Sequence, residues 1–192
     1  LIDQSSIMNK LNDFYSKLYT KDKKCKTGNW IQNLRSNGLV PQLSEVENEK
    51  LEAPLDVTEL KEMLEKCANN KSPGNDGLTK EFYLFFWDVI HKTLFNSYLE
   101  SIKVGKLTVS QRQNLISLIE KTGKDKTLIK NWRPISLINF DTKLLSKTYA
   151  ERLKNVMPTL VHPNQVAYVK NRFIGEGLRT IDETMQYTRR KN

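Results

Sequence analysis

Cysteine, histidine and long apolar runs are all scarce in this chain, and each scarcity narrows what it can be. Two cysteines and two histidines occur in 192 residues. Cys25 and Cys67 lie far apart and neither sits in a CxxC pair, so they read as reduced thiols of an intracellular protein rather than as disulfide partners. His91 and His162 are equally isolated, which leaves no ligand spacing for a structural zinc. No apolar run approaches the ~20 residues that a membrane-spanning helix needs, and no signal-peptide pattern opens the chain. No internal repeat or low-complexity tract is visible, which argues against a solenoid.

What is present suits a folded, basic body. With 38% hydrophobic and 9% aromatic residues the chain can build a core, and a domain of this size hides roughly 70% of its unfolded surface without staples. Lysine and arginine number 31 against 22 acidic residues, a formal charge of +9. That excess favours a polyanionic partner, because the cations are dispersed between apolar segments instead of gathered in one tail. Solubility alone is the plainer reading of the same charge. The chain opens at Leu1 and closes on the polar run of residues 188–192, so it reads as a fragment.

Apolar periodicity predicts a mostly helical α+β fold with a small β-hairpin. Ile7, Met8, Leu11, Phe14, Tyr15, Leu18 and Tyr19 mark a first helix, capped by Ser5-Ser6 and ending near Thr20. Residues 21–41 read as a linker with one apolar patch, Trp30, Ile31 and Leu34. Ser44 with Glu47, and Asp56 with Glu59, are spaced as capping boxes. The second opens a helix whose stripe is Leu60, Met63, Leu64 and Cys67. Residues 69–77, rich in Asn and Gly and holding Pro73, form a loop. One long central helix is expected from Thr79 to Gly105, with Phe82, Phe85, Phe86, Val89, Ile90, Leu94, Tyr98 and Ile102 as its buried face. Residues 115–119 and 132–138 pair as a hairpin with a basic tip, Pro134 at an edge or irregular start. A helix capped by Asp141 carries Leu144, Leu145, Tyr149, Leu153 and Val156 and ends at Pro158. A turn with a short strand or extended piece follows over residues 161–172, then a last helix marked by Ile174, Leu178, Ile181 and Met185.

Four blocks then fall in register: Lys71-Ser-Pro-Gly-Asn-Asp-Gly-Leu78; Leu118-Ile-Glu-Lys121; Asn131-Trp-Arg-Pro-Ile-Ser-Leu137 with Leu144-Leu-Ser-Lys147; and His162-Pro-Asn-Gln165. Their order and spacing resemble the opening blocks of LINE-type non-LTR retrotransposon reverse transcriptases over residues 71–172. The first helix, with Phe14-Tyr15-Ser16-Lys17-Leu18-Tyr19, looks like the segment that joins endonuclease to polymerase in these elements. The resemblance implies that residues 1–43 precede the polymerase and that 44–192 form the fingers and the entrance to the palm of a right-hand polymerase. It implies nucleotide-triphosphate contacts for Lys121 and Arg133, chemistry that suits an ammonium and a bidentate guanidinium; a surface ion pair is the alternative. It implies nucleic-acid contacts for the loop with Lys71, Ser72, Gly74 and Gly77, and for Gln165, Lys170 and Arg172. A plain helix-to-helix turn and an exposed basic loop are the competing readings of those two segments.

Two positions depart from the family pattern. Glu120 stands where proline is usual, and its charge would oppose an anion at Lys121 unless strand alternation turns it to the other face. Asn171 stands where glycine is common. The metal-binding aspartates of the family are missing: no Y-x-D-D box is present and no F-D-x-x-x-A-F type block follows Asp182. The expectation is therefore a chain with no catalytic residue and no cofactor of its own, part of an enzyme that needs Mg2+ elsewhere. Its partners would be RNA template, DNA primer and deoxynucleotide triphosphates, with no membrane, in cytoplasm and nucleus. A non-catalytic nucleic-acid-binding module, an inactive element remnant and a helical protein-interaction domain are the other readings.

Overall fold

A computed structural model of the chain describes residues 3–20, 38 and 41–191. The apolar patch at Trp30, Ile31 and Leu34, and Cys25, lie outside the described residues. Described are α1 (Gln4–Tyr19), α2 (Glu45–Glu52), α3 (Val57–Lys66), α4 (Lys80–Phe85), α5 (Trp87–Val104), α6 (Val109–Arg112), β1 (Asn114–Glu120), β2 (Trp132–Ile138), α7 (Phe140–Leu160) and α8 (Ile174–Lys191). Mostly helical with one two-stranded antiparallel hairpin, the chain has the expected α+β character.

The core forms where apolar stripes at helical spacing meet. Leu60, Met63, Leu64 and Cys67 of α3 and its end are all buried, as are Leu144 and Leu145 of α7, which packs across α3. Tyr98 of α5 is fully buried, and its hydroxyl donates to the Asp141 carbonyl at 2.8 Å. Burial, and then the Asp141 carboxylate, push that phenol far above its usual pKa. Each fully buried leucine contributes about 2 kcal/mol of transfer free energy. Outside this centre, α1 and both strands carry no buried residue.

Several local expectations are corrected by who satisfies whose amides. Asp3, not Ser5-Ser6, caps α1, accepting from the Ser5 and Ser6 amides. The Ser44–Glu47 capping box forms, with bonds of 3.0 and 3.3 Å. Asp56 caps α3 through the Thr58 amide, but Glu59 does not close a box; its carboxylate meets Arg152 of α7 in a bidentate pair at 2.6 and 2.7 Å. The single long helix is two, because the chain breaks at Phe86, with φ −96° and ψ 12°. The break rotates α5, so Tyr83 and Trp87 are buried while Phe85 and Val89 are 81% and 77% exposed. Short α6, whose Thr108 and Gln111 form a capping box, was not anticipated. Asn139 precedes α7, with Asp141 inside the first turn rather than at the cap, and Leu153 is exposed. Pro158 does not end α7, which runs on to Leu160. Proline removes one helix bond and crowds the preceding turn, and only two residues of helix remain beyond it, where Arg172 donates to the carbonyls of Pro158 and Val161 at 2.9 and 2.7 Å. Residues 161–172 form turns without a strand.

In the hairpin, Asn114 faces Ile138 and Glu120 faces Trp132. Alternation then puts Ile116, Leu118, Glu120, Trp132 and Pro134 on one face, and Leu115, Ser117, Ile119, Arg133 and Ile135 on the other. Helix α1 lies along the first face, where Leu11 shares clefts with Ile116, Leu118 and Trp132. No helix among the described residues is long and apolar enough to cross a membrane.

Arg152 also donates to the carbonyls of Leu51, Ala53 and Pro54, so one guanidinium ties α2, α3 and α7. Arg152→Ala strands the half-buried Glu59 carboxylate and is expected to cost about 3 kcal/mol. The midpoint of urea denaturation reads this, and Arg152→Lys should recover little, because an ammonium cannot span carboxylate and carbonyls together.

Candidate nucleic-acid interface

The loop of residues 69–77 is held from three sides. Lys80, buried at the start of α4, donates to the Glu65 and Cys67 carbonyls at 3.1 and 2.6 Å and to Asn69 Oδ1 at 2.7 Å. It thereby satisfies the open C-terminal end of α3. Glu81 accepts the Asn70 amide at 2.8 Å, which holds its carboxyl below the ordinary range. Asn139, itself buried, accepts the Asp76 amide at 3.3 Å and donates to the Ser110 carbonyl at 3.1 Å. Gly74 comes so close to Asn139 that a Cβ there would overlap the asparagine's amide nitrogen, Cα and side-chain oxygen. Gly77 has φ +73°, a left-handed turn residue whose amide bonds the Gly74 carbonyl at 3.3 Å. The Leu78 amide goes to Asp76 Oδ1 at 3.0 Å. The glycines thus serve the fold, and the amides of Asp76, Gly77 and Leu78 are spent internally.

The loop brings one cation, Lys71, to a group of lysines on α4 and α7. Lys71 and Ser72 line a cavity of about 130 Å3 with Lys80 and with Lys143 and Lys147, one turn apart on α7. Lys143 Nζ donates to the Ser72 carbonyl at 3.2 Å, and Lys147 Nζ lies 3.6 Å from Cys67 Sγ.

The hairpin presents a second group of cations. Arg133 is exposed, and its side chain forms no hydrogen bond or ion pair among the described residues. Its face is opposite to that of Glu120, which pairs with Lys126 at 2.6 Å. Lys121 is half-buried and donates to the Lys130 carbonyl at 2.7 Å, across the base of the tip. The Glu120 carboxylate is thus turned from the Arg133 face and paired with Lys126.

The chain is 37% identical over 190 residues, 99% of its length, to the transposon TX1 uncharacterized 149 kDa protein of Xenopus laevis. It is 25% identical over 142 residues, 71% of its length, to the retrovirus-related Pol polyprotein from type-1 retrotransposable element R1 of Bradysia coprophila. The chain spans 14% of the length of each of these relatives. No protein-family model matches it. These similarities support an origin in a non-LTR retrotransposon.

The third expected group stands apart from the first. Arg172 spends its fork on four carbonyls, those of Pro158, Val161, His162 and Gln165, at 2.7–2.9 Å. It closes the C-terminal end of α7, whereas the lysine cavity lies toward the other end, on the order of 20 Å away by helical rise. Lys170 reaches Asn155 Oδ1 at 3.0 Å, and Gln165 is exposed. Asn171 has φ +63°, the left-handed region that glycine and, next, asparagine tolerate, which accounts for the family's glycine at this point. Lys80, Lys143, Lys147 and Asn139 were not singled out from the sequence as site residues. For Lys143 and Lys147 the i, i+4 spacing was an available signal; for buried Lys80 and Asn139 there was none.

Gly74→Ala must push Asn139 aside and is expected to destabilise the protein by about 2 kcal/mol. Urea denaturation tests this against Asn75→Ala, an exposed change in the same loop that should stay within about 0.5 kcal/mol of the parent.

Proposed function

We propose that this chain is the fingers and palm entrance of a non-LTR retrotransposon reverse transcriptase, gripping RNA template and DNA primer and facing the triphosphate of the incoming deoxynucleotide. In this reading it works in cytoplasm and nucleus as part of an RNA-directed DNA polymerase whose carboxylates lie on other polypeptide. The observation that carries the reading is Arg133: a guanidinium inside the Asn131-Trp-Arg-Pro-Ile-Ser-Leu137 block, exposed, unpaired among the described residues, and on the hairpin face opposite Glu120. A structural arginine is expected to have its donors taken up inside the fold, as those of Arg152 and Arg172 are here. A free fork is suited to meeting phosphate oxygens. Lys121, held against the Lys130 carbonyl, supplies a fixed positive charge beside it. Lys71 and Ser72 of the loop, and Gln165 and Lys170 below α7, are the accompanying template or primer contacts.

The described residues do not fit the polymerase's two magnesium ions. No group of three His, Cys, Asp or Glu side chains that could hold an ion occurs among the described residues, so no catalytic step is assigned to them. What these residues do is bind and orient.

In a protein extended to include the family's aspartate blocks, Arg133→Ala is expected to lower kcat/KM for deoxynucleotide about 10- to 100-fold, the range of one lost charge-assisted contact, with template affinity nearly unchanged. Steady-state kinetics on a primed RNA template checks this; parental KM and kcat for the variant would remove the nucleotide role. The chain as it stands should bind single-stranded RNA and DNA with little sequence preference. Filter binding should show an affinity falling steeply with salt, about 0.7 in log–log slope per phosphate contacted, and equal retention of a neutral polymer refutes it.

A further inference from the structure

The cavity between the loop and α7 has a composition the fold does not explain. Lys71, Lys80, Lys143 and Lys147 all line about 130 Å3 of space, and no carboxylate does. Lys80 is accounted for as the cap of α3, yet its partners are two carbonyls and an amide oxygen, so its charge is not cancelled. Lys143 bonds only a loop carbonyl. The contact of Lys147 is a thiol sulfur at 3.6 Å, a weak acceptor. Lys71 is exposed and has no side-chain partner among the described residues. Four like charges around one small space repel each other, and an anion between them converts that repulsion into attraction. Phe140, the first residue of α7, also lines the cavity, and Asn139 gives this helix no side-chain cap. The positive end of a 21-residue helix therefore adds to the same field. Asp141, the acid of that first turn, has its Oδ1 engaged by the Thr142 amide at 2.6 Å.

We propose that this cavity seats one phosphate group, with the backbone of a nucleic-acid strand as its source. The space holds about four waters at liquid density, room enough for a single phosphate, and its lysine lining selects an anion over a neutral base or sugar. Lysine ammoniums suit the task because they act as point charges whose donors rotate freely to a tetrahedral oxyanion. Lys147 and Lys71 make the direct contacts, Lys143 follows by exchanging the Ser72 carbonyl for a phosphate oxygen, and Lys80 supplies field from behind. The source, though not the anion site itself, rests on the nucleic-acid reading above.

The test uses the full chain with Lys147→Gln, with Lys143→Gln/Lys147→Gln, and with Lys61→Gln/Lys103→Gln as a charge-matched control on exposed faces of α3 and α5. Binding of a single-stranded RNA oligonucleotide is measured across a salt series, and thermal melting is followed with and without inorganic pyrophosphate at constant ionic strength. The expected result is a salt slope smaller by about 0.7 for the phosphate no longer contacted and a roughly tenfold weaker affinity in the double variant. Lys147→Gln alone should give part of this with an unchanged melt, since that ammonium supports no backbone group, and the control should keep the parental slope. A double variant that matches the control, while the parent binds RNA, overturns the cavity and leaves the nucleic-acid reading standing. If pyrophosphate raises the melting temperature of the parent but not of the double variant, and the RNA slope is the same in both, the phosphate site stands and the strand is overturned as its source. A parent that fails to retain RNA overturns the nucleic-acid reading, and the strand with it.

Discussion

The close approach of Gly74 to Asn139 is the constraint on which the rest of this arrangement depends. Asn139 ends the hairpin and begins α7, and its side chain joins the Asp76 amide to the Ser110 carbonyl. Loop, α6, hairpin and α7 therefore meet at one buried amide. Because that amide is buried, its donors and acceptor must all be met, and because Gly74 has no Cβ the loop can come near enough to meet them. With the loop drawn onto α7, Lys71 and Ser72 arrive beside Lys143 and Lys147. A looser loop would leave four scattered surface lysines instead of one cavity.

The arginines divide by environment more than by sequence. Arg152 and Arg172 each gather several oxygens, the first a carboxylate and three carbonyls, the second four carbonyls. Both hold helix ends or joints whose polar groups would otherwise lack partners. Arg133 has no such work inside the fold and remains open to a ligand. Sequence resemblance implied a ligand contact for each, nucleotide triphosphate for Arg133 and nucleic acid for Arg172, whereas in the fold only the Arg133 fork is left without a partner among the described residues.

The outer elements leave apolar surface uncovered. Ile174, Leu178, Ile181 and Met185 of α8 are all exposed, as are Leu115, Ile119 and Ile135 on the Arg133 face of the hairpin. Contiguous apolar patches of this kind mark surfaces that meet other polypeptide or ligand. The described core is accordingly confined to α3, α4, α5 and α7, with α1, the hairpin and α8 placed around it.

Local rules decided much of the architecture before any contact was known. The stripe from Leu60 to Cys67, the Ser44–Glu47 box, the loop at 69–77 and the presence of the hairpin all follow from periodicity, capping chemistry and turn residues, which act over a few neighbours. The grouping of four motif blocks likewise pointed to an element of this class. Only the tertiary structure decided that the aromatic run breaks at Phe86, that Glu59 leaves its helix end for Arg152, and that Arg172 closes α7 beyond Pro158. It alone brought Lys71 and Lys80 to Lys143 and Lys147, residues more than sixty positions apart in sequence. Each of these outcomes is a competition for a hydrogen-bond partner or a packing site between distant segments, and a chain read along its length carries no record of which distant group wins.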